Sequence, residues 1–183
     1  EESLEEKAEK TAEERQSKPE DPSENLKEIT DDADEDIVGD LTTGDNLGLI
    51  YYQDESLKAG LEAAMQDLGH EIRASSHTAS ILEVLNYFEY PLLIIQLGED
   101  FREDPAYYAL TEMTMDRRRK QYSVLVAPGL KTGDAMHAFS LGVHLVIATE
   151  DIAKISEIAK KSIPNWQRFI GTYVECLEEA GKA

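Results

Sequence analysis

The chain changes texture at Leu47. Before it, large apolar residues are sparse (Leu4, Leu26, Ile29, Ile37, Val38, Leu41), and Pro19 and Pro22 punctuate the segment. After it, short apolar runs alternate with stretches whose apolar residues recur every three or four positions. Leu49-Ile50-Tyr51-Tyr52 reads as a buried strand. A helix follows over Leu57–Leu68, with Ser56 as its expected N-cap and Gly69 as its stop. Glu71–Ser75 is a second strand, and Thr78 is the expected cap of a helix that ends at Phe88. Pro91–Leu97 is a continuous apolar run, as in strands buried on both faces of a parallel sheet. Pro105 opens a third helix, Ala106 to about Arg118. Tyr122–Ala127 is a fourth strand. Asp134 caps a short helix to Leu141, which Gly142 stops. Val143–Ile147, with His144 inside it, is a fifth strand. From Asp151 the pattern is helical to the C-terminus, with a break expected near Pro164.

Five strands alternating with five helices require a parallel sheet covered on both faces. Right-handed crossovers make it doubly wound, with the flavodoxin-like order 2-1-3-4-5 expected for a (βα)5 chain. In such sheets ligands bind beyond the carboxyl ends of the strands. The residues of interest are therefore Gln53-Asp54-Glu55, Gln96 to Asp100, Ala127-Pro128-Gly129 and Ala148-Thr149-Glu150.

Charge sharpens the division. The 183 residues carry a formal net charge of −20, and the excess is uneven. Residues 1–46 hold 18 acidic and 5 basic residues, and the rest hold 20 and 13. Residues 1–46 are thus expected to be an acidic, disordered linker or tail, because the segment buries too little apolar area to offset its ordering entropy. Residues 47–183 are expected to form the folded domain, with 164–180 as an additional amphipathic helix. The strong anionic charge disfavours nucleic acid and anionic lipid as partners. No apolar run reaches the roughly 18 residues of a membrane span. The N-terminus has no basic n-region and no initiator Met, so the sequence is expected to be part of a longer, cytoplasmic protein. The single cysteine, Cys176, excludes an internal disulfide framework.

The strand ends then become specific. Leu49 to Glu55, with its acidic residues after the first strand, Tyr90 to Gln96, and Asp134 to Ile147 resemble the matching segments of a response-regulator receiver domain over residues 47–163. The resemblance implies a pocket in which an aspartate at the end of the third strand accepts a phosphoryl group. A Mg²⁺ held by carboxylates neutralises the oxygens of that group. By the same resemblance, the phosphoacceptor position holds Gln96. The acidic pair has become Gln53-Asp54, the switch hydroxyl position is Ala127, and the lysine position is Thr149. An amide has no anionic oxygen with which to form an acyl phosphate, so this implies a degenerate, pseudo-receiver pocket. Alternatives remain open. Asp54 with Glu99 and Asp100 is a candidate metal or shifted phosphoacceptor cluster. Gln53, Gln96 and Gly129 could instead frame a small-ligand crevice of flavodoxin type. Pro128 to Asp134 has a superficial phosphate-loop look, but it lacks the glycine frame, and Asp134 opposes an anion there. The four histidines show no ligand spacing, so they are not expected to bind a metal, and no cofactor is expected.

Two features point to partners. Arg117-Arg118-Arg119-Lys120 is the only dense basic run; it reads either as a helix-end complement to the dipole or as a docking patch. Trp166, Phe169, Ile170, Tyr173, Val174 and Leu177 form an apolar stripe at helical spacing, which could fold back on the domain or serve as a dimer or coupling face. The expectation is a non-catalytic signalling module that works through a protein partner or a second copy of itself.

Overall fold

The computed structural model describes residues 46–181, apart from the side chain of Val174. The expected acidic tail, except Asn46, lies outside the described residues. The elements are β1 (Leu47–Tyr51), α1 (Glu55–Asp67), β2 (Glu71–Ser75), α2 (Thr78–Tyr87) and β3 (Leu92–Gln96). After them come α3 (Pro105–Glu112), α4 (Met115–Lys120), β4 (Tyr122–Ala127), α5 (Ala135–Ser140), β5 (Leu145–Ala148) and α6 (Ile155–Glu179). Short 3₁₀ turns at Phe101–Glu103 and Thr149–Lys154 complete the order.

All strand pairs are parallel, and the order is β2-β1-β3-β4-β5. This is the doubly wound, flavodoxin-like α/β architecture the alternation demanded. Every residue of β1, β3 and β4 is buried, which is why these strands read as mainly apolar runs without alternation, Ser123 and Gln96 being the polar exceptions. Successive side chains divide between two cores. Leu49, Tyr51, Leu93 and Ile95 meet α2, α3 and α5 on one face, and Ile50, Ile94, Val124 and Ile147 meet α1 and α6 on the other.

The helix ends differ from the sequence expectation in instructive ways. Asp54, not Ser56, caps α1: its Oδ1 accepts from Ser56 N at 2.9 Å and from Ser56 Oγ at 2.6 Å. Thr78 is the first residue of α2 rather than its cap, because its hydroxyl is engaged with the Tyr51 hydroxyl at 2.8 Å. The expected third helix is two helices. The chain turns extended at Met113 and Thr114 and restarts as α4. Tertiary contacts override helix propensity there, because the new direction aims the basic run back at the fold. Arg117 donates to Asn86 O at 2.9 Å and Phe88 O at 2.5 Å, Arg118 donates to Gly142 O, and Lys120 pairs with Glu89 at 3.1 Å. Arg117 and Arg118 thus serve carbonyls at the ends of α2 and α5, on neighbouring helices rather than on their own.

Pro164 does not break the last helix. α6 runs 25 residues through it. The lost backbone donor and ring crowding cost about 3 kcal/mol in a free helix. Here Ile155 and Ala159 are buried in the α1-side core, with Ile163 and Trp166 packed against it, and Asn165 Nδ2 donates to Lys161 O at 3.3 Å. Residues 164–180 are therefore the outer part of one helix and not a separate one. His144 lies one residue before β5, not inside it.

Removing the Arg117 side chain (Arg117→Ala) should cost about 1–2 kcal/mol, since two charge-assisted bonds to helix-end carbonyls are lost. Thermal unfolding followed by circular dichroism should show a midpoint lower by several degrees, with Arg117→Lys recovering only part, because an ammonium cannot reproduce the guanidinium fork.

Candidate functional site

The register of the sheet places the strand ends along one edge. Tyr51 lies opposite Ile95, Gln96 opposite Val126, and Ala127 opposite Ala148. Gln53, Asp54, Gln96, Ala127 and Thr149 therefore all fall at the carboxyl edge.

Gln96 organises this edge. Its side chain is buried, with Oε1 accepting from Gln53 N at 2.8 Å and from Asp54 N at 2.9 Å. Its Nε2 donates to Leu97 O at 3.1 Å. One amide thus meets two donors and one acceptor, a combination that a carboxylate would match only on the acceptor side. Gln53 adds a second tie. Its Oε1 accepts from Gly98 N at 2.9 Å, and its Nε2 donates to Asp104 Oδ2 at 2.6 Å. Asp104 also caps α3 through Ala106 N at 2.7 Å. The loops after β1 and β3 are therefore laced together by neutral amides and one capping carboxylate.

The candidate metal residues are not brought together. Among the described residues no group of three His, Cys, Asp or Glu side chains could hold a metal ion. The physical reason begins with Asp54, whose carboxylate is committed to Ser56. That hydroxyl bond, with the Ser56 backbone donor, holds the carboxyl below the usual aspartate range. Glu99 and Asp100 are exposed, and the Asp100 backbone oxygen closes the turn to Glu103.

The other strand ends are structural as well. Ala127 is fully buried, and the Thr149 hydroxyl is buried without a hydrogen-bond partner. Thr132 Oγ1 accepts from Ala148 N at 2.9 Å, and Asp134 caps α5 by accepting from His137 N at 2.9 Å. That backbone bond holds the Asp134 carboxyl below its ordinary value. The loop after β4 thus spends these polar groups on backbone donors of β5 and α5. Gly129, at φ +70°, supplies the left-handed turn there.

Sequence reasoning missed a second cluster on the far edge. His144 Nδ1 accepts from Ser123 N at 3.1 Å and lies 2.9 Å from Ser123 Oγ. Its ring stacks on Tyr122, with centroids 5.2 Å apart, and meets Trp166 edge-on at 5.3 Å. Burial, reinforced by the Arg118 guanidinium, pushes its pKa down to about 4. Only the continuation of α6 past Pro164 brings Trp166 there.

The remaining stripe residues divide. Tyr173 lies under Arg119, 4.4 Å from ring centre to guanidinium, and its hydroxyl receives Arg119 Nη2 at 2.9 Å. Ile170 and Leu177 are half-buried, and Phe169 is 69% exposed. Val174's side chain lies outside the described residues. An open groove of about 420 Å³ runs beside Phe169, lined by Met115, Arg118, Phe139, Val143 and Trp166 among others. Among the described residues no helix is long and apolar enough to cross a membrane.

No family model and no curated protein sequence matches the chain. Among solved structures it is similar to the sugar isomerase domain of an RpiR transcription factor from Sphaerobacter thermophilus. That match has 13% identity over 72% of this chain and 78% of the other, with a TM-score of 0.41. It is also similar to a response regulator protein from Burkholderia pseudomallei, whose structure has a phosphorylated aspartic acid, a calcium ion and citrate. There the identity is 15% over 75% of this chain and 87% of the other, with a TM-score of 0.39. Neither likeness, at these values, speaks to function.

Proposed function

We propose that this domain is a non-catalytic signalling module: a pseudo-receiver that acts through protein contacts and has no phosphoryl chemistry of its own. The observation that carries this reading is Gln96. It stands at the end of β3, and its amide is locked by the backbone of Gln53, Asp54 and Leu97. An amide is neither a nucleophile toward a phosphoryl donor nor an anionic metal ligand. Asp54, whose backbone N–H Gln96 holds, has its carboxylate engaged by Ser56. The lysine position of the receiver pattern holds Thr149, which offers no cation to a phosphoryl oxygen.

The test is intact-protein mass after incubation with acetyl phosphate and Mg²⁺. The chain should gain no phosphoryl adduct. The Gln96→Asp variant should gain none either, because a single restored carboxylate lacks both the second metal ligand and the cation. An adduct mapped to Asp54 or Asp100 in the wild-type chain would overturn the proposal and support a shifted receiver site.

A further inference from the structure

The groove beside Phe169 opens at the amino edge of the sheet. Val143 and His144, which line it, directly precede β5, and His144 N donates to Ser123 O at 3.0 Å near the start of β4. Its other walls come from α4 (Met115, Arg118, Arg119), α5 (Phe139) and α6 (Phe169, Ile170). Met115, Phe139 and Phe169 are 59%, 81% and 69% exposed, and apolar surface of this kind marks an interaction site. The charged part of the lining is cationic, with no described carboxylate in it. Gly142 O accepts from Arg118, and Arg119 holds Asp116 at 3.1 Å and the Tyr173 hydroxyl at 2.9 Å. A guanidinium carries more donors than these bonds use, so both arginines can take a further carboxylate.

The chain's own sequence before β1 supplies the matching occupant. Asp34-Glu35-Asp36 runs directly into Ile37-Val38, so carboxylates adjoin an aliphatic pair. Residues 34–41 lie outside the described residues, and the described chain starts at Asn46 on the amino edge. Asn46 O accepts from Glu71 N at 2.9 Å, which fixes where the chain enters β1. β1 and β5 are three strand spacings apart, about 14 Å. The nine links from Ile37 to Asn46 can span about 30 Å, so the aliphatic pair reaches the groove with slack for the path round the edge. In an extended segment successive side chains point opposite ways, so Ile37 and Val38 meet opposite walls. Elsewhere the domain repels the carboxylates, since residues 47–183 hold 20 acidic and 13 basic residues. A short tether holds the segment at an effective concentration of about millimolar, which favours its own groove over that of a second copy at micromolar protein.

We infer that residues 34–41 dock in the groove of their own chain. Ile37 and Val38 enter between α5 and α6, and Asp34, Glu35 and Asp36 lie beside Arg118 and Arg119. The docked segment covers Phe139 and Phe169, apolar surface that would otherwise favour self-association. The contact lies at the edge of the sheet opposite Gln96, so it is independent of the reading of that pocket.

The chain's single cysteine offers the test. Cys176 is exposed on α6, two turns past Phe169 and about 10 Å along the axis. A nitroxide attached there, in the full isotope-labelled chain at micromolar concentration, should broaden the amides of residues 34–38 to less than half their intensity with the label reduced. The double variant Ile37→Asp/Val38→Asp and the single variant Phe169→Glu should each restore most of that intensity, and high salt should restore part of it. A mixture of nitroxide-bearing chains without isotope and isotope-labelled chains without nitroxide should show no broadening. Broadening in that mixture would place the segment on a second copy and overturn the inference. So would a wild type without broadening, or broadening that survives both variants. A phosphoryl adduct in the mass experiment above would sink the functional reading alone and leave the broadening unaltered.

Discussion

Gln96→Leu should lower the unfolding free energy by about 2–3 kcal/mol, the largest loss expected of any polar side chain at the strand ends. Leu fills a similar volume, so little of the effect comes from a cavity. What is lost is the acceptor for Gln53 N and Asp54 N and the donor to Leu97 O. Partly buried donors left without partners cost about 1–3 kcal/mol each, and water reaching the exposed Gln53 and Asp54 recovers part of this. For a domain of this size the midpoint should fall by roughly 10 °C. Gln53→Ala should cost about 1 kcal/mol or less, because its bonds to Gly98 and Asp104 are exposed. Urea unfolding of both variants settles the ranking. Equal losses would mean that Gln96 is not the keystone of this edge.

The second large effect is a loss of stability on acidification that His144 sets. Its folded pKa of about 4 lies below the ordinary 6.5. The unfolded chain therefore binds the proton first as pH falls. The contribution is complete above about pH 6.5 and is lost progressively down to about pH 4, where it amounts to roughly 2–3 kcal/mol. The structural cause is specific. Nδ1 is an acceptor for Ser123 N, so a proton there replaces a bond with a repulsion, between the Tyr122 and Trp166 rings and near Arg118. Capping carboxylates such as Asp54 and Asp134, held below their ordinary values, lose stability in the same direction but at lower pH. In a series of melts from pH 7 to pH 4.5, His144→Gln should flatten the slope. A slope unchanged by the substitution would show that the histidine is not the group titrating.

Much of this architecture was written in local pattern. β3 and β4 are buried on both faces, so their sequences are apolar without alternation, and the helices between them fix a parallel order. The caps were less legible. Asp54 and Ser56 are both good cap residues two positions apart, and only the geometry of the β1 turn selects the aspartate. The restart at α4 and the passage of α6 through Pro164 were hidden because contacts distant in sequence decide them: Arg117 with Asn86 and Phe88, and Trp166 with Tyr122 and His144. The site followed the same rule. Gln96 stood out as a polar residue ending an apolar strand, but its partner Gln53 lies 43 residues away. The acidic residues after β3 looked like a cluster in sequence, whereas in the fold Asp104 serves as a cap and Glu99 and Asp100 face outward.

The central claim, that Gln96 closes this edge against phosphoryl chemistry, is tested most directly by the two-dimensional amide spectrum of the chain titrated with Mg²⁺ and beryllofluoride. The Gln53, Asp54, Gly98 and Thr149 amides should not move beyond the shift that ionic strength alone produces. A saturable, beryllofluoride-dependent shift at those four amides would contradict the account and identify the edge as a working phosphoryl site.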